Sequence, residues 1–196
     1  SWHQQGDYKK SLEYYNIATQ NSRRKLPREV EFKIGFCKMK NEDYQGAIEH
    51  FTKVADKNDE LAQYASYYMA QCYTNTDQDK FARNTFLKAY KMNYNDTLKE
   101  NALYNYAVLS FIPGIDPFGE SINILNEYIK NNPQSSQLSD LQDIAIHLLL
   151  NSENYSLALK TIDEYDNLSP ELKKIQSQLM YNVGIQYYNE AKYEED

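Results

Sequence analysis

Apolar residues along this chain recur at three- and four-residue steps within short polar blocks, and the blocks themselves recur. "GDYKKSLEYYNIA" at 6–18 returns as "EDYQGAIEHFTKVA" at 42–55 and "ENYSLALKTIDEY" at 153–165. Aligned on the aromatic that follows the acidic or amide residue, the anchors are Tyr8, Tyr44, Tyr155 and Tyr193. Three residues on stands a small residue (Ser11, Ala47, Ala158); seven on, a large apolar one (Tyr15, Phe51, Ile162); ten on, Ala18, Val54 or Tyr165. Those offsets lie on one stripe of an α-helix, so each block predicts an amphipathic helix. Two degenerate copies fill the gap between Tyr44 and Tyr155. One is framed on Asp79 with Ala82, Phe86 and Ala89, the other on Phe118 with Ser121, Leu125 and Tyr128.

Upstream of each anchor lies a second helical stretch. An apolar residue followed by a small one falls nine or so before the anchor: Ile34-Gly35, Met69-Ala70, Tyr106-Ala107 and Val183-Gly184. Small residues there let two helices approach closely, and the small residue after the anchor does the same from the other side. The pattern predicts helices over 7–22, 28–41, 43–57, 59–75, 77–92, 96–111, 117–131, 136–151, 153–167 and 170–190. Asp116-Pro117 and Ser169-Pro170 read as N-cap followed by first-turn proline. The chain is thus a series of helix pairs, and a first helix with Trp2 and a last one near 193 predict that it is part of a longer array.

"WHQQGDYKKSLEYYNIA", "GFCKMKNEDYQGAIEHFTKVA" and "MYNVGIQYYNEAKYEED" resemble the tetratricopeptide repeat. The resemblance covers essentially the whole chain. It implies an all-α fold: a right-handed α-α superhelix of stacked antiparallel helix pairs, a single array over 1–196 with units near 1–25, 26–58, 59–93, 94–133, 134–168 and 169–196. It also implies that the first helix of each pair lines a concave groove. Departures from the family pattern are units longer than the usual repeat, Asp79 at an aromatic site, Ile146 at a small-residue site and Asp196 at a final alanine site. "LNEYIKNNPQSSQLSD" at 125–140 is similar to units of bacterial envelope proteins such as outer-membrane assembly lipoproteins and periplasmic coordinators. That likeness favours a bacterial periplasmic or outer-membrane-associated setting, with the cytoplasm left open.

Composition narrows the function classes. A mean hydropathy of −0.80 with 41% hydrophobic residues fits a thin helical stack, which has much surface per residue. Net charge of −7 repels phosphate backbones, and "SRRK" at 22–25 is the densest basic group, which argues against nucleic acid. No run approaches the ~18 apolar residues of a membrane span. The 19 tyrosines stand out, although Tyr, Asn and Lys are also what A/T-rich codons supply.

Candidate chemistry is sparse. His3, His50 and His147 are scattered and lack metal-ligand spacing, so no metal is expected. Cys37 and Cys72 share one register on successive first helices, where separations of about 8–10 Å exceed disulfide reach, and read as reduced core residues. The acidic clusters "NEDY", "KNDE" and "YEED" sit at helix starts, where carboxylates favour the positive helix end. No phosphate-cradling glycine loop or nucleophile elbow is present. Asn-x-Ser/Thr matches at Asn95, Asn154 and Asn167 are expected by chance in so Asn-rich a chain. Neither enzymatic activity nor a cofactor is expected.

The groove implied by the resemblance can be read from the first helices at i, i+4 and i+7. Candidate peptide-binding residues are Phe32, Lys33, Phe36, Tyr67, Tyr68, Gln71, Tyr104, Asn105, Val108, Tyr181 and Asn182, and four of the five leading positions are aromatic. Such rings offer contact area, and amides can bond a peptide backbone. The same rings equally suit packing between neighbouring first helices. The carboxylate clamp of some family members needs successive basic residues, of which Lys33 alone is available. The expected function is a non-enzymatic protein-protein interaction scaffold binding a peptide or helix. The alternative is a structural spacer or self-association segment of a larger protein, joining through exposed repeat ends.

Overall fold

A computed structural model describes residues 7–19, 25–112, 120–151, 155–166 and 168–193. Among them are ten helices and no strand. Trp2, His3, Asp116-Pro117, most of the "IPGIDPFG" turn, Asn154, Asn167 and Asp196 lie outside the described residues. The helices divide between two compact units, residues 1–109 and 110–196.

The first unit holds α1 (Tyr8–Thr19), α2 (Arg28–Lys40), α3 (Tyr44–Thr52), α4 (Glu60–Thr74), α5 (Asp79–Lys91) and α6 (Asp96–Leu109). Each packs on the next, and α2 also touches α4, as α4 touches α6. Contacts across α2 and α3 converge toward their connection: Lys38 pairs with Asp43, Gly35 faces His50 and Phe51, and Arg28 reaches Val54. The two helices are therefore antiparallel. Between α4 and α5 the same order appears, from Tyr73 with Phe81 through Tyr67 with Phe86 to Gln63 with Ala89 and Met92.

Local chemistry explains why the helices stop and start. Two of the three acidic clusters act at helix starts: Asp43 accepts from Gly46 N–H at 3.0 Å and Asp59 from Ala62 N–H at 2.8 Å. At "YEED" no helix start is seen, because the helix from Pro170 runs on through Tyr193 and residues 194–196 lie outside the described ones. Glu42 and Asp77, 35 residues apart, are left-handed (φ 64° and 55°) and end α2 and α4 alike. In each turn the following N–H returns five residues, Asp43 to Lys38 O and Gln78 to Tyr73 O, which satisfies carbonyls that the helix end would orphan.

The small residues do what their spacing implies. A Cβ placed on Gly35 would stand 3.1 Å from the Phe51 ring, so any larger residue would have to push that buried ring back by a few tenths of an ångström. Phe51, Val54 and Ala47 are buried beneath it with Met39, Met69 and Cys72. Position 28 and its equivalent 63 carry a latch. Arg28 donates to Asp59 at 2.5 Å and to Val54 O at 2.7 Å. Gln63, fully buried, donates to Ala89 O and Met92 O and accepts from Asn95 N–H, all at 2.8–3.2 Å. Different side chains thus tie each first helix to the end of its mate and the start of the next.

The second unit holds α7 (Glu120–Asn131), α8 (Leu138–Asn151), α9 (Tyr155–Asp163) and α10 (Pro170–Tyr193), again packed in chain order. Leu125, Leu141, Ile146, Leu149, Ile162, Leu172 and Leu179 are the largest of its fully buried aliphatic residues among those described. Ser169 caps α10 through Leu172 N–H at 3.1 Å, as its position before Pro170 predicts. Tyr165 OH donates to Asn126 Oδ1 at 2.8 Å and ties the segment after α9 to α7.

Candidate functional site

In the first unit α2, α4 and α6 carry nine of the candidate residues, of which ring contacts bring together Phe32, Phe36, Tyr67 and Tyr68, and one cleft brings together Gln71 and Asn105. Phe32 and Phe36 stand one turn apart on α2 and meet Tyr68 of α4 at centroid separations of 6.1 and 5.1 Å. Tyr68 lies 5.6 Å from Tyr67, which lies edge-on to Phe86 of α5 at 5.6 Å. Tyr8 of α1 extends the set, 5.7 Å from Phe36. All four predicted rings on α2 and α4 are half-buried, so each divides its surface between its neighbours and solvent. Burial pushes the phenols of Tyr67 and Tyr68 above their ordinary value, with a hydrogen bond to Gln71 partly opposing the rise for Tyr67. They are neutral donors at physiological pH. Lys33 is exposed beside them.

Further along the same helices the surface becomes polar. A cleft of about 400 Å³ is lined by Lys40, Glu42, Gln71, Thr74, Asn75 and Asn105 among others. Gln71 and Asn105 are two of the predicted amides. Asn105 donates to Asn101 O at 2.7 Å, which holds its amide against α6. Tyr104 is half-buried on α6, and Val108 is exposed one turn on. Lys40 rests over the Phe36 ring at 5.4 Å, linking the cationic end of the cleft to the ring cluster. The arrangement offers ring edges, an apolar step at Val108 and a row of amide and hydroxyl groups, which suits a chain with its own exposed peptide groups.

Tyr181 and Asn182 belong to α10 in the second unit, where both are exposed. Thr74, which the i+7 spacing from Tyr67 places in the groove, does line the cleft, whereas sequence reasoning missed Lys40 and Asn75. Lys40 and Asn75 hold equivalent positions five residues after Gly35 and Ala70, so the same repeat frame read one turn further would have found them.

Groups with reactive potential are occupied structurally. Cys37 and Cys72 are free and fully buried, with thiols pushed up to about 11 and about 12 by burial. His50 Nδ1 lies 2.6 Å from the carboxylate of buried Glu31, which Lys53 also approaches at 3.2 Å. Asp143, Ser169 and His147 of the second unit gather a carboxylate, a hydroxyl and an imidazole. The Ser169 hydroxyl, however, donates to Asp143 at 3.3 Å while its oxygen accepts from Leu172 N–H, so it is a helix cap. Among the described residues no group of three or more His, Cys, Asp and Glu could hold a metal ion, and no helix is long and apolar enough to cross a membrane. The chain matches no protein-family model and no curated protein sequence.

Proposed function

We propose that the chain is a tetratricopeptide-type scaffold without catalytic activity, whose helix pairs stack within each unit as a right-handed superhelix. In this reading the face of α2, α4 and α6 receives a peptide or a partner helix. The observation that carries it is the juxtaposition, on one face, of half-buried rings at Phe32, Phe36, Tyr67 and Tyr68 with the polar cleft holding Gln71 and Asn105. One ring surrendering ~75 Å² of remaining surface gains about 2 kcal/mol at ~25 cal/mol/Å². Association costs about 4–15 kcal/mol, so ring edges, Val108 and the amides must act together.

The test is selection of peptides from a displayed random library on the 196-residue chain, followed by titration against variants. Gln71→Ala/Asn105→Ala and Val108→Glu alter the face without opening the core. Each is expected to weaken the selected peptides ~10-fold or more, equivalent to about 1.4 kcal/mol, at unchanged melting temperature. Equal affinity in all three proteins removes this face from the account.

A further inference from the structure

Where the turn after α3 meets α5, a cavity of about 470 Å³ opens, a volume typical of small-molecule sites. Lys57, Lys88 and Lys91 stand around it with Asn84, over a floor that includes Leu87 and buried Met92. The turn is tied in place: Lys88 Nζ donates to Ala55 O, and the Tyr94 hydroxyl donates to Asn58 O. The charge around the cavity is uncompensated. Among the described residues none of the three ammonium groups enters an ion pair, although the chain carries a net −7. The carboxylates of the same turn, Asp56 and Asp59, are drawn instead to Arg28, at 4.0 and 2.5 Å. Comparison with the preceding repeat shows where the imbalance comes from. Lys53 holds at the end of α3 the place that Lys88 holds on α5, 35 residues on, and it is neutralised by buried Glu31 at 3.2 Å. The counterpart of Glu31 on α4 is Ser66, which is buried and uncharged. Lys91 answers in the same frame to Asp56, so the sign reverses at a second position.

We propose that this cavity binds a phosphate monoester whose organic part is apolar. Three ammonium groups match the dianionic charge and the three terminal oxygens that such a group presents, whereas a carboxylate offers one charge and two oxygens in a plane. Lysines act as separate point charges and so suit a tetrahedral anion better than a planar one. Lys88 keeps two of its three N–H donors after bonding Ala55 O, and Leu87 and Met92 offer the organic part an apolar floor. A long polyanion gains little from the same lysines. Their attraction is screened beyond about 8–10 Å, where the acidic balance of the whole chain prevails. A monoester small enough to sit inside the cavity meets only the cationic ring.

Titrating the nitrogen-15-labelled 196-residue chain with phenyl phosphate to ~20 mM, at low salt and about pH 7.5 where the ester is dianionic, tests this through amide chemical shifts. Shifts in residues 55–58 and 84–92 are expected to saturate with a dissociation constant of about 1 mM and to weaken as salt is added. Benzoate, a single charge on the same ring, should bind ~5-fold or more weakly. Lys57→Gln/Lys91→Gln should raise the dissociation constant for phenyl phosphate ~5-fold or more. Both side chains are exposed and unpaired, so the amide spectrum should keep its folded dispersion. Lys9→Gln/Lys174→Gln removes the same charge from exposed positions elsewhere and should bind like the wild type. Phosphotyrosine within a short capped peptide separates the sources of such a group: tighter binding than phenyl phosphate points to a phosphorylated side chain, equal or weaker binding to a free monoester, and both support the cavity. Three results overturn the proposal: shifts at the cavity that do not saturate or that spread to lysines over the whole chain, benzoate binding as tightly as phenyl phosphate, or wild-type affinity in Lys57→Gln/Lys91→Gln.

Discussion

The surroundings of Gly35 and Gly184 form an internal experiment: two helices with the same apolar-small signature, one closed and one bare. On α2 the glycine lies under Phe51 at the distance of a missing methyl group, Glu31 is buried against His50 and Lys53, and Arg28 clasps Val54 and Asp59. On α10 nothing approaches Gly184, Met180 replaces Glu31 in solvent, and the latch position is Ser177, which spends its hydroxyl on Lys173 O within its own turn. Identical spacing thus specifies a helix and a contact face in both places, while whether the face is filled depends on residues of another segment. A close-approach glycine is a property of a pair, not of the helix that carries it.

The largest effect separates the two faces by removing one ring from each. Phe51→Ala deletes a fully buried ring from the α2–α3 contact and should cost about 3–5 kcal/mol. Tyr188→Ala removes a ring that is mostly in water and should change monomer stability by less than about 0.5 kcal/mol. Urea midpoints at low protein concentration measure both. Comparable losses would mean that α10 is covered in solution and the contrast is illusory.

Gly→Ala at each site sharpens the comparison because the two changes should differ in sign. Alanine is the better helix former by ~1 kcal/mol, and at Gly184 its methyl has open space, so Gly184→Ala should stabilise the chain by about 0.5–1 kcal/mol. At Gly35 the methyl must displace the Phe51 ring and the His50 Cβ at 3.1 and 3.2 Å. Overpacking of that kind costs about 1–3 kcal/mol and outweighs the helix gain. Thermal melts of the two variants reporting shifts in the same direction would break the argument.

Much of this arrangement is legible in the sequence, and the misses have physical causes. The spans 28–41, 96–111 and 170–190 correspond to Arg28–Lys40, Asp96–Leu109 and Pro170–Tyr193 within a few residues; Asn95 and Ser169 cap the last two through Leu98 N–H and Leu172 N–H, while the first follows Pro27 with no side-chain cap. The spans 43–57 and 153–167 are too long: α3 ends at Thr52 and α9 at Asp163. Val54 and Tyr165 keep the apolar period beyond those ends, but their N–H groups bond three residues back, to Phe51 O and Ile162 O, so the chain has tightened out of the α-helix while still feeding the core. Periodicity also cannot tell a ring facing a neighbour from one facing a ligand. Phe32 and Tyr68 occupy groove positions by spacing, and they spend much of their surface on each other. The latches were invisible for another reason. Arg28 and Gln63 share a register but no chemistry, and a lone polar residue at a helix start gives no sign that it will be buried against carbonyls 26 or more residues away.

Those latches supply the smallest test, because one titrates and the other does not. Hydrogen bonding from Arg28, reinforced by the Ala62 N–H, holds the Asp59 carboxyl down at about 2 against an ordinary 3.8. A folded-state value below the unfolded one means the contribution is complete above about pH 5 and is lost as pH falls through 3.8 toward 2. The pair is partly open to solvent, so the loss should stay below about 1 kcal/mol. Asp43, lowered by its hydrogen bond to Lys38, loses stabilisation over the same acid range, so Asp59→Asn should flatten the decline between pH 5 and 2 without abolishing it. Gln63→Ala frees the carbonyls of Ala89 and Met92 and lowers stability evenly across that range, leaving the acid slope intact. Urea midpoints collected at several pH values distinguish the two. If Asp59→Asn follows the wild-type slope, the ion pair is not what closes α2 onto the start of α4, and the contrast with Ser177 on α10 must rest on packing at Gly35 alone.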